Sequence, residues 1–302
     1  MWGPYQDLIR VSIVIRTLNE SRFLPRVLEA LARQSVLAKD RETIVVDSGS
    51  TDDTVDIANR AGCKILHVTR EEFSFGRSLN RGCSAAEGNV LAFVSAHCIP
   101  RDAQWLENLI APIELGEVSI AYGRQIGGDD TKLSEHQVFA KYYPKQGSFE
   151  EIPFFCNNAN AAVTAVLWKK LLFAENLTGL EDMEFAKRAH NALQSHVKYV
   201  PQAVVSHHHL EGWRQVKRRY EREAYALQHI MPELQFTAGD AIRCFLGGVA
   251  NDIRAVPLRT AGLRIAKEVL LYRFCQYYGA WKGHHLHREL SKKRKQKYFY
   301  PS

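Results

Sequence analysis

The sequence lacks the features that mark several common protein classes. No apolar run in the 302 residues approaches the roughly 18 to 20 that cross a bilayer, so we expect no transmembrane span. The first residues carry no charged stretch followed by an apolar one, so we expect no secretory signal peptide. The six cysteines are scattered without a Cys-x-x-Cys pair, which favours reduced thiols in a cytoplasmic protein.

Two glycine-rich phosphate-binding motifs are also missing. The sequence contains neither Gly-x-Gly-x-x-Gly nor the P-loop pattern that ends in Gly-Lys-Ser/Thr, which disfavours dinucleotide redox chemistry and P-loop chemistry. What the sequence does have is an ordinary folded-protein composition, with 46% apolar and 24% charged residues. This composition rules out disordered, collagen-like and disulfide-scaffold proteins, and the length suits one large domain or two smaller ones.

The first hundred residues alternate between strand and helix patterns. Apolar β-branched runs predict strands over 11–17, 44–47, 64–68 and 89–95, and helical spacing predicts helices over 21–34, 55–61 and 77–87. This alternation is typical of an α/β protein with a mostly parallel sheet. Further along, residues 121–155 are predicted to be irregular, with a strand-like segment at 154–163 and an extended stretch at 197–205. Helices are predicted over 165–173, 179–192 and 213–229, and from about 237 onward.

Polar residues follow three of the predicted strands at the points where the strands end. They are Thr17, Asn19, Glu20, Asp47, Ser50, Ser95 and His97, with Ala96 between the last two. Open parallel sheets bind ligands in the crevice beyond the carboxyl ends of their strands. Three such strand ends together predict a nucleotide-type site at this edge of the sheet.

Five segments, taken in order, resemble family 2 glycosyltransferases. They are Val11–Glu20, Val45–Thr54, Phe75–Gly82, Val90–Pro100 and Gly179–Arg188, and the resemblance covers about residues 8–230. The sequence is most similar to the bacterial branch that builds surface polysaccharides, which has rhamnosyltransferase-like members. The resemblance implies a GT-A fold, a UDP- or dTDP-linked sugar donor, a divalent metal ion, and an inverting transfer to a saccharide or lipid-linked saccharide.

The resemblance also implies where the donor binds. Asp47 would accept a hydrogen bond from the base, with Thr17, Asn19, Glu20 and Ser50 beside it. The alternative is that Asp47 caps a turn or helix, although Asp52 and Asp53 suit capping better. Arg77 and Asn80 would face the diphosphate, and Ser95 and Ala96 would lie beside it. Arg218 and Arg219 would clamp a phosphate, unless they belong to a solvated basic helix face. Arg219 stands where processive relatives have tryptophan, which favours transfer of a single sugar.

Ser95-Ala96-His97 occupies the place where the family usually has Asp-x-Asp, the metal-binding motif. No carboxylate is present there, so the resemblance implies His97 and His207 as the metal ligands. Imidazole suits Mn²⁺ better than Mg²⁺. The alternative is that His97 only donates a hydrogen bond and that the ion is weakly bound or not bound. In the extended segment His207 and His209 share one face, so these two rings can act together.

Glu181 and Asp182 open a predicted helix at the position of the family's Glu-Asp pair. An inverting transfer needs one base to take the proton of the acceptor hydroxyl, and we predict Asp182 for that role, with Glu181 orienting it or binding donor hydroxyls. The alternative is simple helix-dipole complementation. Asn158, Asn160 and Arg124 are predicted to contact the acceptor.

The net charge of +7 is concentrated at one end of the chain. Residues 282–302 contain seven Lys and Arg against a single acid, and thus six of the seven net positive charges. We divide the chain into a catalytic domain over 1–235 and a helical extension with a basic tail over 236–302. The tail, with Tyr298, Phe299 and Tyr300, favours an anionic membrane surface on the inner face of the plasma membrane. A solvated end, or a self-association element of a homo-oligomer, are the alternatives.

Two other functions compete with sugar transfer. A nucleotidyltransferase would need a glycine-rich loop with a lysine near the N-terminus, and residues 17–20 offer neither. A basic protein that binds nucleic acid or a membrane without catalysis would need its bases spread along an interface with interleaved aromatics. Since the bases cluster at one end instead, we do not expect a nucleic-acid partner.

Overall fold

The computed structural model describes residues 10–149, 151–255, 262–286 and 298–299. Within these ranges the chain forms eight strands and ten α-helices. In chain order they are β1 (Val11–Thr17), α1 (Leu24–Ala32), β2 (Arg41–Asp47), α2 (Thr54–Arg60), β3 (Lys64–His67), α3 (Phe75–Ser84), β4 (Val90–Val94), β5 (Cys98–Pro100), α4 (Trp105–Glu114), β6 (Ile120–Gly127), α5 (Leu133–Tyr142), β7 (Asn160–Thr164), α6 (Ala165–Leu171), α7 (Glu181–Leu193), β8 (Val197–His207), α8 (Trp213–Ile230), α9 (Ala238–Ala255) and α10 (Leu263–His284).

All eight strands belong to one sheet, in the order β3-β2-β1-β4-β7-β6-β8-β5. The first four of these pair in parallel, β7 runs antiparallel to β4 and β6, and β8 is parallel to β6. Six strands therefore point the same way, and only β7 and β5 oppose them. Because the six carboxyl ends meet at one edge, the loops that leave them converge there.

Apolar side chains cover both faces of the sheet. On one face the buried strand residues pack against α1 and α4, with Trp105 and Leu24 fully enclosed. On the other face they pack against α3, α6 and α7, where Phe93 and Phe185 are enclosed. The strands of such a sheet must be apolar on both sides, which explains why β1 and β4 are nearly continuous apolar runs.

The predicted alternation of the first hundred residues is confirmed, but the prediction of an irregular segment over 121–155 is wrong. That segment contains most of β6 and all of α5. The apolar pattern of β6 is hidden because Gly123 and Gln125 interrupt it. Gly123 is required there, since an added Cβ would overlap the carbonyl oxygen of Ala203 in the neighbouring β8. The sequence analysis also missed α4, which holds Pro112 within its last turns.

The C-terminal helices attach to the sheet through α8. Helix α10 lies close against α8, because Gly279 and Gly283 bring its backbone to the carbonyl oxygens of Lys217 and Glu221. A small apolar cluster around Val216 seals this contact. Helix α9 then packs on α10. The helices of the described ranges are all too short or too polar to cross a membrane.

The predicted role of the tail aromatics needs correction. Tyr298 is buried against Tyr225 and donates its hydroxyl to Glu221 at 3.0 Å, and Phe299 makes edge contacts with Phe73 and Phe75. Because these two rings pack on the protein, they are not available to a membrane surface. Residues 287–297 and 300–302, which carry most of the predicted basic tail and Tyr300, lie outside the described residues.

The close approach of α10 to α8 predicts opposite effects of alanine at two glycines. Gly283→Ala should lower the free energy of unfolding by about 1–3 kcal/mol, because the new methyl group meets backbone that cannot move aside. Gly247→Ala, in an exposed part of α9 with no atom near the added methyl, should raise it by up to about 1 kcal/mol. Urea unfolding of both variants measures this, and equal effects would contradict the packing.

Candidate active site

The loops after β1 and β2 are tied together at the carboxyl edge of the sheet. Asn19 adopts a left-handed conformation, with φ of 56°, which asparagine tolerates better than most residues. Its backbone N–H donates to the Ser50 hydroxyl at 2.9 Å, and its side-chain oxygen accepts from the Thr51 N–H at 2.8 Å. The backbone N–H of Glu20 donates to Thr54 Oγ1 at 2.8 Å. The two predicted polar segments therefore form one rigid unit.

Asp47 lies at the base of this unit and is almost fully buried. Its carboxylate accepts the backbone N–H groups of Gly49 at 3.0 Å and Ser50 at 3.2 Å, and Thr17 Oγ1 lies 3.5 Å away. The turn-capping interpretation is thus correct for Asp47. A carboxylate has further lone pairs, so a base contact stays a prediction.

Three imidazole rings, those of His97, His207 and His209, meet beside this unit. Their centroids are 5.1 Å apart for His97 and His207, 4.0 Å for His207 and His209, and 5.7 Å for His97 and His209. One nitrogen of each ring lies within 4.8 Å of the other two. His208 turns away and stacks on Phe23, as expected from strand alternation. The sequence analysis did not commit to His209, although its shared face with His207 was the available signal.

An oxygen atom holds the Nδ1 atom of each ring at 2.7 Å. The partners are Glu20 for His97, Gln125 for His207 and Glu135 for His209. In this arrangement each Nδ1 carries the proton and each Nε2 is left with its lone pair. Nε2 of His207 is buried without a hydrogen-bond partner in the described structure. Such outer hydrogen bonds are what orients histidines that bind metal ions.

The surroundings act differently on the three rings. Burial, and then the neighbouring His209 and His97, hold the pKa of His207 well below its ordinary value, so this ring is neutral. Burial also lowers the pKa of His97, but the carboxylate of Glu20 outweighs burial and raises it. The cluster therefore contains one ring that stays neutral and one that takes up a proton more readily.

A second acidic group lies next to the imidazoles, formed by Glu135, His209 and Glu211. Arg219 occupies it, with bonds to Glu135 at 2.6 Å and to Glu211 at 2.8 Å. Burial alone would raise the pKa of Glu135, but Arg219 and His209 lower it to about 2. Arg219 is therefore committed to internal carboxylates, which corrects its prediction as a phosphate clamp.

Glu181 and Asp182 begin α7, as predicted. Leu180 at the start of the helix has a left-handed backbone with φ of 57°, an uncommon conformation for a branched residue and a local strain. Asp182 accepts the backbone N–H of Asn158 at 2.8 Å and that of Met183 at 2.8 Å. Glu181 lies 3.1 Å from the guanidinium of Arg16.

The two neighbouring carboxylates have different surroundings. Burial, and then the charge of Glu181, raise the pKa of Asp182 to about 7, although the two N–H donors and Arg16 act in the opposite direction. Tyr143 and Cys156 also lie near Asp182, and burial keeps both of them neutral by raising the pKa of each. A carboxylate with a pKa near neutrality can take up a proton at working pH, which is what a general base requires.

Two arginines that the sequence analysis missed lie beside this pair. The guanidinium carbons of Arg16 and Arg222 lie 4.9 Å and 4.8 Å from the centroid of the Phe75 ring. Arg222 Nε is buried and lacks a hydrogen-bond partner within the described ranges, while Nη1 of Arg16 forms the ion pair with Glu181. The signal for Arg16 was a charged residue inside an otherwise apolar strand.

The two predicted donor contacts in α3 have different outcomes. Arg77 pairs with Glu175 at 2.8 Å and donates to the carbonyl oxygen of Glu72. The side-chain amide of Asn80 is fully used, since it donates to Phe173 and Glu175 and accepts from Trp168 and Phe173. Asn80 therefore has no polar group left for a diphosphate and is wrong as a donor contact, whereas Arg77 is exposed and stays a prediction.

The remaining predictions have mixed outcomes. Ala96 is wrong as a donor contact, because its side chain lies in the apolar core. Asn160 is wrong as an acceptor contact, because it is buried and bonded to Trp105, Arg124 and Ala203. Four other residues stay predictions, because none of their contacts assigns a role to them. They are Ser95, Arg124, Asn158 and Arg218, and their side chains are at least partly buried.

Comparison with known proteins relates this geometry to an enzyme family. The model for glycosyl transferase family 2 matches residues 12–166, about half of the chain. The O-antigen chain rhamnosyltransferase RfbN of Salmonella typhimurium is 26% identical over 224 residues, which are 70% of each chain. A PGL/p-HBAD biosynthesis glycosyltransferase of Mycobacterium bovis is 36% identical over 117 residues, and the match spans 37% of this chain and 45% of that protein.

Solved structures share the fold. Glucosyl-3-phosphoglycerate synthase from Mycobacterium tuberculosis, in complex with Mn²⁺, UDP-glucose and phosphoglyceric acid, has a TM-score of 0.55 and 22% identity, over 73% of this chain and 79% of that one. The mannosyltransferase PcManGT from Pyrobaculum calidifontis, in complex with GDP-Man and Mn²⁺, has a TM-score of 0.62 and 15% identity, over 93% and 88%. These matches confirm the predicted GT-A fold. The chain belongs to glycosyl transferase family 2 and is a glycosyltransferase.

Proposed function

We propose that the protein transfers one sugar, with inversion, from a UDP- or dTDP-linked donor to a saccharide or lipid-linked saccharide in bacterial surface polysaccharide synthesis. The observation that carries the proposal is Asp182, a buried carboxyl group whose pKa is raised to about 7 at the start of α7. The similarity to a rhamnosyltransferase of O-antigen synthesis supports the acceptor class. Both structural neighbours carry a nucleotide sugar, which supports a donor of this kind, and the UDP-glucose of the glucosyl-3-phosphoglycerate synthase supports a UDP-linked one.

Asp182 takes the proton of the acceptor hydroxyl in this mechanism. The freed oxygen forms the new bond to the anomeric carbon, the bond to the diphosphate oxygen breaks, and the nucleoside diphosphate leaves with the electron pair. Two backbone N–H groups hold the carboxylate of Asp182 in one orientation, so little reorganisation is needed. Glu181 is paired with Arg16 at 3.1 Å, whereas the raised pKa of Asp182 makes it the group that takes the proton.

The imidazole cluster fits a divalent ion. Three rings converge, their Nδ1 atoms are all engaged, and Nε2 of His207 is buried without a partner. His97, His207 and His209 would hold the ion, with Glu20, Gln125 and Glu135 fixing the rings. The bound ion would neutralise the charge that develops on the leaving diphosphate. Arg16 and Arg222, which flank the ring of Phe75, would add positive charge.

Asp182→Asn should lower kcat by about 10²- to 10⁴-fold, because asparagine cannot accept the acceptor's proton. Binding of UDP or dTDP, measured by isothermal titration calorimetry, should be unchanged. Asp56→Asn, at an exposed carboxylate on α2, is the matched control and should keep full activity. Retained turnover in Asp182→Asn would remove Asp182 from the role of base.

The raised pKa of Asp182 predicts the pH dependence of transfer. The base must be deprotonated, so kcat/KM should rise with pH and level off above an apparent pKa of about 7. The profile should be measured at saturating metal ion, and nucleotide binding should be followed in parallel so that loss of the ion at low pH is recognised. A flat profile across this pH range, with binding intact, would contradict the assignment.

The nitrogen ligands predict the metal preference. Mn²⁺ should bind the protein and support transfer better than Mg²⁺, because imidazole suits Mn²⁺ while Mg²⁺ prefers oxygen ligands. His207→Ala should weaken Mn²⁺ binding by more than about tenfold, as measured by calorimetry or electron paramagnetic resonance. His196→Ala, at an exposed histidine, is the control. Equal affinity of the wild type and His207→Ala for Mn²⁺ would exclude His207 as a ligand.

A further inference from the structure

Helices α9 and α10 lie side by side, with the start of α9 against the end of α10. The backbone N–H of Phe236, just before α9, donates to Nε2 of His284 at 3.2 Å. Between the helices runs a groove of about 250 Å³ lined almost entirely by carbon atoms. Its walls are formed by Ala238, Ala241, Ile242, Phe245, Phe274, Tyr277, Tyr278 and Trp281.

Each of these two helices carries an apolar stripe on its outer surface. Seven of the thirteen exposed large apolar side chains in the described ranges lie here. They are Ile242, Leu246, Ile253, Leu263, Leu270, Phe274 and Tyr278, and we call this set the α9–α10 face. Their spacings are four and seven residues, so each set lies on one side of its helix. Ile242 and Leu246 are 61% and 60% exposed, so most of each side chain is not covered by the rest of the protein.

Positive charge borders the α9–α10 face. Arg254, Arg264 and Lys267 are exposed, and within the described part of the chain none of them pairs with a carboxylate. The acids on these helices are already engaged, since Asp240 pairs with Arg243, Asp252 is buried against Arg273, and Glu268 accepts the backbone N–H of Leu133. The strongly basic residues 282–302 begin in the last turn of α10, where Lys282 pairs with Glu221, and continue along the chain beyond it.

We propose that the α9–α10 face docks on an anionic lipid bilayer, with both helices lying in the plane of the membrane interface. A broad apolar stripe with basic residues beside it, and aromatic rings at one end, matches the chemistry of such a surface. Phe274, Tyr278 and Trp281 are stacked in sequence at that end. The described helices cannot cross the bilayer, so they would rest on it.

A second copy of the chain fits this face less well. A symmetric dimer through the face would bring the same patch against itself, and the unpaired bases beside each stripe would then face one another. Anionic lipid head groups complement those bases instead. The apolar side chains would enter the acyl boundary while the bases contact the head groups.

Docking at this face would hold the catalytic site at a fixed height above the membrane. Helix α10 is in backbone contact with α8 at Gly279 and Gly283. Helix α8 in turn carries Arg219 and Arg222, which lie beside the imidazole cluster and the Asp182 pair. The membrane inference goes beyond sugar transfer and does not depend on it, although it would bring the site close to a lipid-linked acceptor.

The test is sedimentation with vesicles in the absence of nucleotide sugar. The full chain should bind vesicles of phosphatidylcholine and phosphatidylglycerol, and bind vesicles of phosphatidylcholine alone much more weakly. Ile242→Gln with Leu246→Gln should lower the partition coefficient at least about tenfold, because two exposed apolar side chains no longer enter the bilayer. Arg264→Gln with Lys267→Gln should lower it by about fivefold for each charge removed. The latter pair is fully exposed and leaves the fold intact.

Leu115→Gln with Val166→Gln is the matched control. These two apolar side chains are even more exposed, but Leu115 directly follows α4 and Val166 is in α6, so neither belongs to the α9–α10 face. Vesicle binding should therefore be unchanged. Transfer to a soluble acceptor should be unchanged in every variant, which separates failure of this proposal from failure of the proposed function.

Three results would overturn the docking proposal. The first is an absence of wild-type binding to the anionic vesicles. The second is binding that survives Ile242→Gln with Leu246→Gln but is lost when Lys292 and Lys293 are neutralised, which would assign the contact to the chain end alone. The third is a concentration-dependent dimer that the same face variant abolishes, without vesicle binding, which would assign the face to a second copy.

Discussion

Three imidazole rings this close to one another cannot all be protonated, and much of the structure follows from that constraint. Two unit charges about 5 Å apart repel by roughly 3 kcal/mol at an effective dielectric constant of 20. The fold holds the rings together by giving each Nδ1 an oxygen acceptor from a different element, namely Glu20 after β1, Gln125 on β6 and Glu135 on α5, and the two carboxylates among them offset the repulsion. The neutral ring of His207 lies between its two neighbours.

Glu135, which holds His209, is buried and must itself be paired with a cation, and this pairing connects the sheet edge to the C-terminal helices. A carboxylate almost without solvent needs a cation, and Arg219 from α8 supplies it while also pairing with Glu211. Helix α8 is thereby fixed over the sheet edge, and α10 is fixed to α8 because glycine lets their backbones meet. The α9–α10 face and the imidazole cluster are therefore parts of one rigid arrangement, although they are far apart in the sequence.

The sequence predicts well what depends on local periodicity and fails where distant partners decide. The strand ends at Thr17 and Asp47, and the helix start at Asp182, follow from apolar runs and capping residues near in the chain. Asn80 and Asn160 also lie in segments that resemble ligand-binding motifs, yet the side-chain oxygen of each accepts an indole N–H group. Asn80 accepts from Trp168, 88 residues away, and Asn160 accepts from Trp105, 55 residues away. An asparagine that binds a ligand and one that binds a tryptophan look alike until the fold brings the partner in.

The difference between Glu181 and Asp182 shows why a charged residue lies in β1. Two adjacent buried carboxylates cannot both remain ionised without compensation. Arg16 faces Glu181 at 3.1 Å, while Asp182 receives only backbone N–H groups. The proton therefore goes to Asp182. A leucine at position 16 would suit the strand better, but it would leave Glu181 uncompensated, and the pair would lose the asymmetry that makes one of them a base.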